Sequence, residues 1–594
     1  MAPLGLTQSL SAKKPHLNVV FFLIDDLGRN DLGCYGSKYF RTKAIDSLAK
    51  SGARFSDFYA ACPVCSPTRA SIMTGKYPAR LNLTDWLPGR PDRPDQKFLR
   101  PPIVQQLPLE EITLAELFSQ SGYVTGIIGK WHLGGEGFSP AKQGFQFNIA
   151  GDHTGTPLSY FSPFKNNQGR FMPGLEKAPE NQYLPDRLAL EAGQFLEQNR
   201  DKPFFLYLPH YSVHTPIRAP AERVAPYPAD GRPGTQNNPV YAAMVESMDL
   251  AVGAVLKKLE DLKLAENTVV IFTSDNGGLS VLEGNNTPAT INAPLREGKG
   301  YLYEGGIRVP LLVRWPGVVA PGTVTSTTCS SIDFFPTLAE ICGLKFTHTV
   351  DGVSFAKSFQ QKPGGEAADQ RPLFWHYPHY SNQGGKPGSA IRLGNWKLIE
   401  FVENSRGELF DLGKDLGESR NVANEKPELV QQLRARLKEW RQSVGAREMQ
   451  LNPNYHPNPQ GKDGVVLLHS KYAEVFGSQL RYEPLPHKTT LGYWINENDW
   501  AKWEFEINRP GKFQVEVLQG CGTGQGGSEV IFKAGDKVLP FVVEDTGGFQ
   551  QFKPRIVGEL EIATPGRQVL EIRVKKKAKS AVMDVRQVRL VPVK

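Results

Sequence analysis

The sequence predicts an α/β fold: a large doubly wound, mostly parallel sheet between helices, then a small α+β subdomain and an added all-β sandwich. Five short apolar runs alternate with helical stretches in the first part of the chain. Near residue 370 the pattern changes to a mixture of strand-like and helical segments. After residue 464, short segments in which apolar and polar residues alternate are separated by glycines. At 594 residues the chain is also too long for one compact core.

The five apolar runs have the length of strands and no polar face, which is typical of strands buried in a parallel sheet. Helical stretches at residues 112–121 and 238–262 lie between them. An alternation of strands and helices predicts a doubly wound sheet. The predicted parallel strands are residues 17–24, 123–129, 203–208, 268–274 and 309–313.

The same patterns predict the domain boundaries. The small subdomain should contain a hairpin at residues 390–412 and a helix at 427–444. Residues 452–464, rich in Pro, Asn and Gly, are the predicted linker. The predicted units are the α/β domain (15–370), the α+β subdomain (371–451), the linker (452–464) and the β-sandwich (465–594).

The last domain resembles a carbohydrate-binding jelly roll. It contains Trp494, Trp500 and Trp503 and a basic run at residues 575–577. Aromatic and basic side chains suit a sulfated glycan, but tryptophans also form the cores of such sandwiches. The sequence therefore allows two interpretations of this domain: a glycan-binding domain or a purely structural one.

Composition limits the class of protein. Apolar residues make up 40% and charged residues 22% of the chain, as in soluble globular proteins. The sequence contains no run of eighteen apolar residues, which a membrane span would need. Residues 1–14 lack the apolar centre of a secretory signal. The formal net charge of +8 suits an anionic partner. No zinc-finger, RRM or P-loop pattern indicates nucleic acid.

The six cysteines are too sparse to predict a disulfide framework. Cys62 and Cys65 form a C-x-x-C pair, which in isolation indicates a redox centre or half of a zinc site. No second pair of this kind completes a zinc site. A redox or zinc protein built on these two residues is therefore one alternative.

Polar side chains follow the predicted strands, where ligands bind in open α/β sheets. Asp25 and Asp26 follow the first strand, and Asp275 and Asn276 follow the fourth. Carboxylate and amide oxygens suit Ca²⁺ or Mg²⁺, although either pair alone could be an ordinary turn. Lys130, His132, His210 and His214 follow the second and third strands at the same edge.

Residues 62–80 surround Cys65. Ser66 and Pro67 predict a helix N-cap and first helical residue, and Gly75 predicts the end of that helix. Cys65 would then precede a helix N-terminus, where free N–H groups favour an anion. Arg69, in the first turn, could contact an oxyanion with two N–H groups.

Two segments together resemble the signatures of type I sulfatases, which belong to the alkaline phosphatase superfamily. Residues 65–69 (CSPTR), with Gly75, match a C-x-P-x-R signature, and residues 122–132 (GYVTGIIGKWH) match a second one. The resemblance covers roughly residues 15–445. It implies a periplasmic or extracellular location.

The resemblance also implies a site. Cys65 would be converted to formylglycine by a formylglycine-generating or anaerobic sulfatase-maturing enzyme, and its hydrate would present two hydroxyls. Arg69 would hold the modified residue, Lys130 and Lys299 would bind sulfate, and His132 and His214 would exchange protons. A calcium ion, with Mg²⁺ as second choice, would be held by Asp25, Asp26, modified Cys65, Asp275 and Asn276.

The loops after the strands are similar to those of carbohydrate sulfatases. They predict exo-desulfation of a sulfated polysaccharide or oligosaccharide with galactose- or N-acetylgalactosamine-type units. The predicted sugar contacts are Asp152, His153, His376 and His379. A phosphonate monoester hydrolase or phosphodiesterase of the same superfamily, and a non-catalytic protein that binds sulfated glycans, are the alternatives.

Overall fold

The computed structural model describes residues 16–228, 231–232, 234–360, 371–403 and 407–593. The expectation that residues 1–14 hold no secretory signal lies outside the described residues, and so does the domain boundary predicted at residue 370.

An eight-stranded mixed sheet is the centre of the first domain. Its strands are Asn18–Ile24 (β1), Ala53–Phe55 (β2), Val124–Ile128 (β3), Phe147–Ile149 (β4), Phe204–Pro209 (β5), Thr268–Ser274 (β6), Leu311–Arg314 (β7) and Thr323–Thr325 (β8). Their order is β8-β2-β7-β6-β1-β5-β3-β4. Strands β4, β3, β5, β1 and β6 run parallel, so the predicted mostly parallel sheet is confirmed.

Helices cover both faces of this sheet. The helices of seven residues or more in the described part of the chain are Lys43–Ser51 (α1), Cys65–Thr74 (α2), Leu114–Gln120 (α3), Leu184–Gln198 (α4), Pro239–Asp261 (α5), Phe334–Cys342 (α6) and Pro427–Ser443 (α7). Alternate residues of β1 point to opposite faces, as strand geometry requires. Phe22 packs in a core with α4 and α5, whereas Phe21 packs in a second core with α2, α3 and α6.

The predicted parallel strand at residues 309–313 is wrong in its direction. Strand β7 runs antiparallel to both β6 and β2. A parallel crossover needs a connection, usually a helix, that returns the chain to the opposite edge. Residues 275–310 contain one helix, Glu304–Ile307, of four residues. The chain therefore re-enters the sheet from the edge that it left.

Helix α5 has the length and mean hydropathy of a membrane span, with a mean of 1.4 over its most apolar window. Among the described helices it alone meets both criteria, which a core helix also satisfies. Inside the protein, 61% of that window is buried. Tyr241, Met248 and Val255 of this helix belong to the core beside β1, so its packing is that of a core helix.

The small subdomain pairs a four-stranded antiparallel sheet with α7. Its strands are Leu373–Tyr377 (β9), Gly388–Leu393 (β10), Trp396–Phe401 (β11) and Gly407–Asp411 (β12). The predicted hairpin is thus three paired strands, β10 to β12. Leu433 and Leu437 of α7 pack on Leu398 and Leu409 of the sheet.

The C-terminal domain is a sandwich of two antiparallel sheets. Its strands are Val466–His469 (β13), Glu474–Phe476 (β14), Arg481–Glu483 (β15), Thr490–Gly492 (β16), Trp500–Ile507 (β17), Gly511–Cys521 (β18), Glu529–Ala534 (β19), Lys537–Val542 (β20), Gly548–Ile562 (β21), Gly566–Lys576 (β22) and Asp584–Pro592 (β23). One sheet has the order β15-β16-β23-β18-β21, with β13 also on β23, and the other β14-β17-β22-β19-β20.

The three tryptophans of this domain are packed. Trp494 and Trp503 belong to the core between the sheets. Trp500 stacks on Phe476, with ring centroids 4.0 Å apart, and the guanidinium of Arg573 lies 3.5 Å from the Trp500 ring centroid. Neighbouring side chains therefore pack against the three tryptophan rings whose presence suggested glycan binding.

The predicted linker lies against the domains on both sides. The Asn452 N–H donates to the Lys97 carbonyl at 3.0 Å, and the Gln460 N–H donates to the Glu506 carbonyl at 3.0 Å. Lys97 belongs to the α/β domain and Glu506 to β17. These contacts join the sandwich to the first domain.

Candidate active site

Side chains from four neighbouring strands of the large sheet meet at its carboxyl edge. Asp25 follows β1, Asp275 follows β6, and Lys130 and His214 follow β3 and β5. The loop before β7 adds Lys299 to this edge, and α2 adds Cys65. The structure gathers Cys65, Arg69, Lys130, His132, His214, Lys299, Asp25, Asp26, Asp275 and Asn276, each at most 9% exposed.

Helix α2 begins at Cys65, with Val64 as N-cap, and ends at Gly75, whose φ of 69° is left-handed. The prediction that Ser66 is the N-cap is wrong, because its hydroxyl has tertiary partners. Ser66 Oγ accepts the Leu87 N–H at 3.1 Å and lies 3.1 Å from His132 Nδ1. Cys65 is thus the first helical residue, where backbone N–H groups lack partners within the helix.

The three carboxylates are each paired with a cation. The three negative and three positive charges cancel, and all six side chains are at least nine-tenths buried. The pairs are Asp25 with Lys130 (2.7 Å), Asp26 with Lys299 (2.8 Å) and Asp275 with Arg69 (2.8 Å). Burial and then the charge of Asp25 raise the pKa of Asp275 to about 6. Burial opposes ionisation of Asp26, yet Lys299 and His214 hold its pKa below the usual value.

Two buried oxygens of this cluster accept no hydrogen bond from the described residues: Asp25 Oδ1 and Asn276 Oδ1. Buried acceptors are normally satisfied, so such atoms indicate a missing partner. Ligand atoms of Asp25, Asp26 and His214 lie within 4.8 Å of one another. Carboxylate and amide oxygens are the donors that hard divalent cations prefer. The residues therefore fit a metal ion.

His132 is oriented as a neutral base beside Cys65. Its Nε2 lies 2.7 Å from the Leu87 carbonyl oxygen, which can only accept, so Nε2 carries the proton. Nδ1 then presents its lone pair 3.4 Å from Cys65 Sγ. Burial, and then the charge of Lys130, hold the pKa of His132 well below 6.5.

His214 and Lys299 form a hydrogen-bonded pair on the other side of the site. His214 Nδ1 lies 2.8 Å from the Thr215 carbonyl, so Nδ1 is the protonated nitrogen. Its Nε2 lies 3.1 Å from Lys299 Nζ. Burial and then the charge of Lys299 lower the pKa of His214 to about 4. The lysine is thus the proton-bearing member of the pair at neutral pH.

Of the predicted sugar contacts, Asp152 and His153 follow one another in the chain but differ in their surroundings. Asp152 lies beside the site, because its carbonyl accepts the His132 N–H at 2.9 Å and its carboxylate pairs with Arg170 at 2.6 Å. His153, the next residue, is exposed. Both residues remain predicted contacts.

The two histidines of the small subdomain are buried. His376 is not placed to bind substrate, because Nδ1 lies 2.8 Å from Ser389 Oγ and Nε2 lies 2.9 Å from the Arg447 carbonyl. His379 is 1% exposed, and its Nε2 lies 2.8 Å from Thr84 Oγ1. Aromatic and histidine residues at 373–380 predict a substrate-contacting loop, but residues 373–377 form β9.

A buried ionic cluster next to the site was not predicted. Lys397 Nζ lies 2.9 Å from carboxylate oxygens of both Glu304 and Glu418, and all three side chains are inaccessible to solvent. Glu304 begins the short helix that packs on the Asp275–Asn276 turn. There the Gly277 N–H donates to the Gly306 carbonyl at 2.9 Å, and a Cβ on Gly277 would meet the Gly305 carbonyl oxygen at 1.7 Å. Only glycine fits this contact.

Comparisons with known proteins show the family of the chain. The model of the sulfatase family matches residues 17–344, and the model for the C-terminal part of N-sulphoglucosamine sulphohydrolase matches residues 298–443. Human arylsulfatase A (Homo sapiens) is 34% identical over 485 residues, which span 73% of this chain and 89% of that protein. N-acetylgalactosamine-6-sulfatase of Canis lupus familiaris is 32% identical over 428 residues, covering 68% of this chain and 76% of that protein.

Solved structures show the same likeness. The structure of Ps i-CgsB in complex with k-i-k-neocarrahexaose has a TM-score of 0.59 and 31% identity, and the match covers 72% of this chain and 93% of that one. A phosphonate monoester hydrolase of Agrobacterium radiobacter, at 19% identity and a TM-score of 0.52, shares the fold.

The matches to the sulfatase family model and to curated sulfatases define the chain as a hydrolase of sulfate esters. The chain belongs to the sulfatase family. It is a sulfuric ester hydrolase, similar to arylsulfatases and carbohydrate sulfatases. Both family models end by residue 443, so the β-sandwich is an added domain.

Proposed function

We propose that this sulfatase releases sulfate from the ends of sulfated polysaccharides or oligosaccharides with galactose- or N-acetylgalactosamine-type units, using a formylglycine derived from Cys65 and a bound calcium ion. The observation that carries the proposal is the setting of Cys65. Cys65 begins a helix, and its side chain lies 3.4 Å from the unprotonated Nδ1 of His132 and close to the positive charges of Lys130 and Lys299.

Asp25, Asp26, Asp275 and Asn276 would hold the calcium ion. Their oxygens match the hard ligands that Ca²⁺ prefers, and Mg²⁺ is the second candidate. When bound, the ion polarises sulfate and hydroxyl oxygens. Asp25 Oδ1 and Asn276 Oδ1, which accept no hydrogen bond from the described residues, support this assignment because a cation would coordinate both oxygens.

A formylglycine hydrate supplies one hydroxyl as nucleophile and a second whose deprotonation releases sulfate and regenerates the aldehyde, which a serine could not do. A formylglycine-generating or anaerobic sulfatase-maturing enzyme would install it. His132 is the base in our proposal, because its unprotonated Nδ1 faces the side chain at position 65.

The cations around position 65 bind the sulfate and offset the charge that develops during transfer. Lys130 and Lys299 contribute directly, whereas Arg69 holds Asp275 and the Lys130 carbonyl in place. Loss of one such group commonly lowers the rate by about 10²–10³-fold. His214, with Lys299 Nζ 3.1 Å from its Nε2, is the proposed proton donor to the departing sugar oxygen.

The substrate class has separate support. One relative is named N-acetylgalactosamine-6-sulfatase, and one solved relative binds a neocarrahexaose oligosaccharide. The formal net charge of +8 favours approach of a polyanion. Asp152, beside His132, is the proposed sugar contact nearest to the reacting group.

The test combines three measurements on the matured full chain. Peptide mass spectrometry at position 65 should show formylglycine, and elemental analysis should show about one calcium per chain. A panel of defined sulfated saccharides should release sulfate from galactose- or N-acetylgalactosamine-type ends. If protein with confirmed formylglycine hydrolyses only other sulfated sugars, the proposed substrate class is wrong. A large preference for an aryl phosphodiester over an aryl sulfate would overturn the whole proposal.

A further inference from the structure

The turn that carries Lys299 is held tightly on the side that faces the active site. The Lys299 N–H donates to the Gly278 carbonyl at 3.1 Å, and the Gly300 N–H donates to the Pro63 carbonyl at 2.8 Å. Glu297, two residues earlier, has a φ of 57°. A non-glycine residue rarely adopts this left-handed conformation. Its surroundings must therefore hold the turn in shape.

The opposite side of the turn contacts the small subdomain at Glu418. The Arg296 and Glu297 side chains are 12% and 11% exposed. Arg296 NH1 donates to the Glu418 carbonyl at 3.2 Å. Burial raises the pKa of Glu297 to about 7, and the positive charges of Arg296 and then Arg481 oppose that rise. Arg481 belongs to β15 of the added sandwich.

Arg481 is fixed between the two domains. Its NH1 donates to the Ser419 carbonyl at 3.3 Å, one residue after Glu418. Its guanidinium carbon lies 3.7 Å from the ring centroid of Tyr493, which follows β16. Arg481 and Arg296 thus donate to the carbonyls of two consecutive residues, Ser419 and Glu418, and this segment links the β15–β16 hairpin to the Lys299 turn.

The part of the sandwich that makes this contact is internally braced. The Asp499 carboxylate accepts three backbone N–H groups, from Ser478, Gln479 and Leu480, each at 2.8 Å. The Ser478 carbonyl in turn accepts the Asn421 N–H at 2.9 Å. The sandwich therefore meets the first part of the chain with a preformed loop.

We propose that the C-terminal sandwich is a positioning element of the active site and that Arg481 is a positioning residue, which acts on Lys299 through the Glu418–Ser419 segment and the turn that carries Arg296. This inference rests on the proposed role of Lys299 in sulfate-ester hydrolysis. Lys299 is 7% exposed, and its Nζ lies 2.8 Å from Asp26 Oδ2 and 3.1 Å from His214 Nε2, so a displacement of its backbone would disturb both contacts. A displacement of about 1 Å at a reacting group can cost about a hundredfold in rate.

The first experiment compares two arginine variants of the full matured chain. Arg481→Ala should lower kcat/KM for an aryl sulfate about ten- to a hundredfold. Arg555→Ala is the matched control, because Arg555 pairs with Glu544 inside the same domain, and it should leave kcat/KM unchanged. Arg481→Lys keeps the charge but not the planar group and should recover part of the loss. If Arg481→Ala does not fold, Arg481→Lys against the same control carries the test.

The second experiment asks whether Arg481 acts through Lys299. In a Lys299→Ala background, adding Arg481→Ala should lower kcat/KM no further, since the group being positioned is already gone. Additive losses, or an Arg481 variant as active as the Arg555 control, would overturn the inference. Full activity of Lys299→Ala alone would instead overturn the proposed role of Lys299 and, with it, this inference. Sulfate release by the wild-type chain reports separately on the proposed function.

Discussion

Lys397→Met should strongly destabilise the fold, although Lys397 touches none of the predicted catalytic residues. Its Nζ lies 2.9 Å from both Glu304 and Glu418, and neither carboxylate reaches solvent. Without it, Glu304 keeps Tyr59 OH at 2.7 Å and Arg308 at 3.1 Å. The uncompensated charge therefore falls on one carboxylate, that of Glu418.

One uncompensated buried charge costs about 3–5 kcal/mol. That is a large part of the roughly 5–15 kcal/mol that stabilises a typical folded domain. Burial already raises the pKa of Glu418 to about 7 while Lys397 opposes the rise. Loss of Lys397 raises this pKa further. The variant should therefore be most destabilised above neutral pH, and the deficit should shrink as pH falls and Glu418 takes up a proton in the folded state.

Urea unfolding at several pH values, followed by intrinsic fluorescence, measures this effect. Lys257→Met is the control, because Lys257 forms an exposed pair with Asp261, and its unfolding midpoint should match the wild type. The double variant Lys397→Met/Glu418→Gln should recover stability, since it removes the unpaired charge. An unfolding midpoint for Lys397→Met equal to that of wild type at high pH would refute the reasoning.

Three further predictions concern the site and its surroundings. Cys65→Ser should abolish multiple turnover with the fold intact, as circular dichroism and sulfate release would show; full turnover would contradict the role of Cys65. Asp275→Ala should lose both bound metal and activity, and retention of stoichiometric calcium by elemental analysis would count against the metal site. Burial lowers the pKa of His210 from 6.5 to about 4. As pH falls, position 210 therefore takes up a proton in the unfolded chain before it does so in the folded chain, which destabilises the wild type. Between pH 6.5 and 4, the free energy of unfolding of His210→Leu in urea should rise by about 3 kcal/mol relative to that of the wild type. A difference that does not change with pH would exclude this cause.

Much of the site could be predicted because its residues obey local rules. Apolar runs indicate buried strands, and carboxyl ends of parallel strands share one edge of a sheet. Asp25, Asp275, Lys130 and His214 therefore converge from positions that the sequence alone indicates. The helix end at Gly75 likewise follows from a single residue that tolerates positive φ.

Other features depend on partners far away in the chain, and no local pattern reports them. The direction of β7 depends on where a long loop re-enters the sheet. Ser66 has the residue type of an N-cap, yet Leu87 and His132 take its hydroxyl.

Local sequence patterns, together with the resemblance to type I sulfatases, thus indicated the candidate site residues and the elements on which they lie, because strand and helix periodicity are properties of neighbouring residues. Tertiary structure alone decided which nitrogen of His132 is unprotonated, how Lys397 joins Glu304 to Glu418, and where Arg481 binds the segment behind the Lys299 turn. The physical reason is that each of these depends on burial and on contacts between segments that only folding brings together.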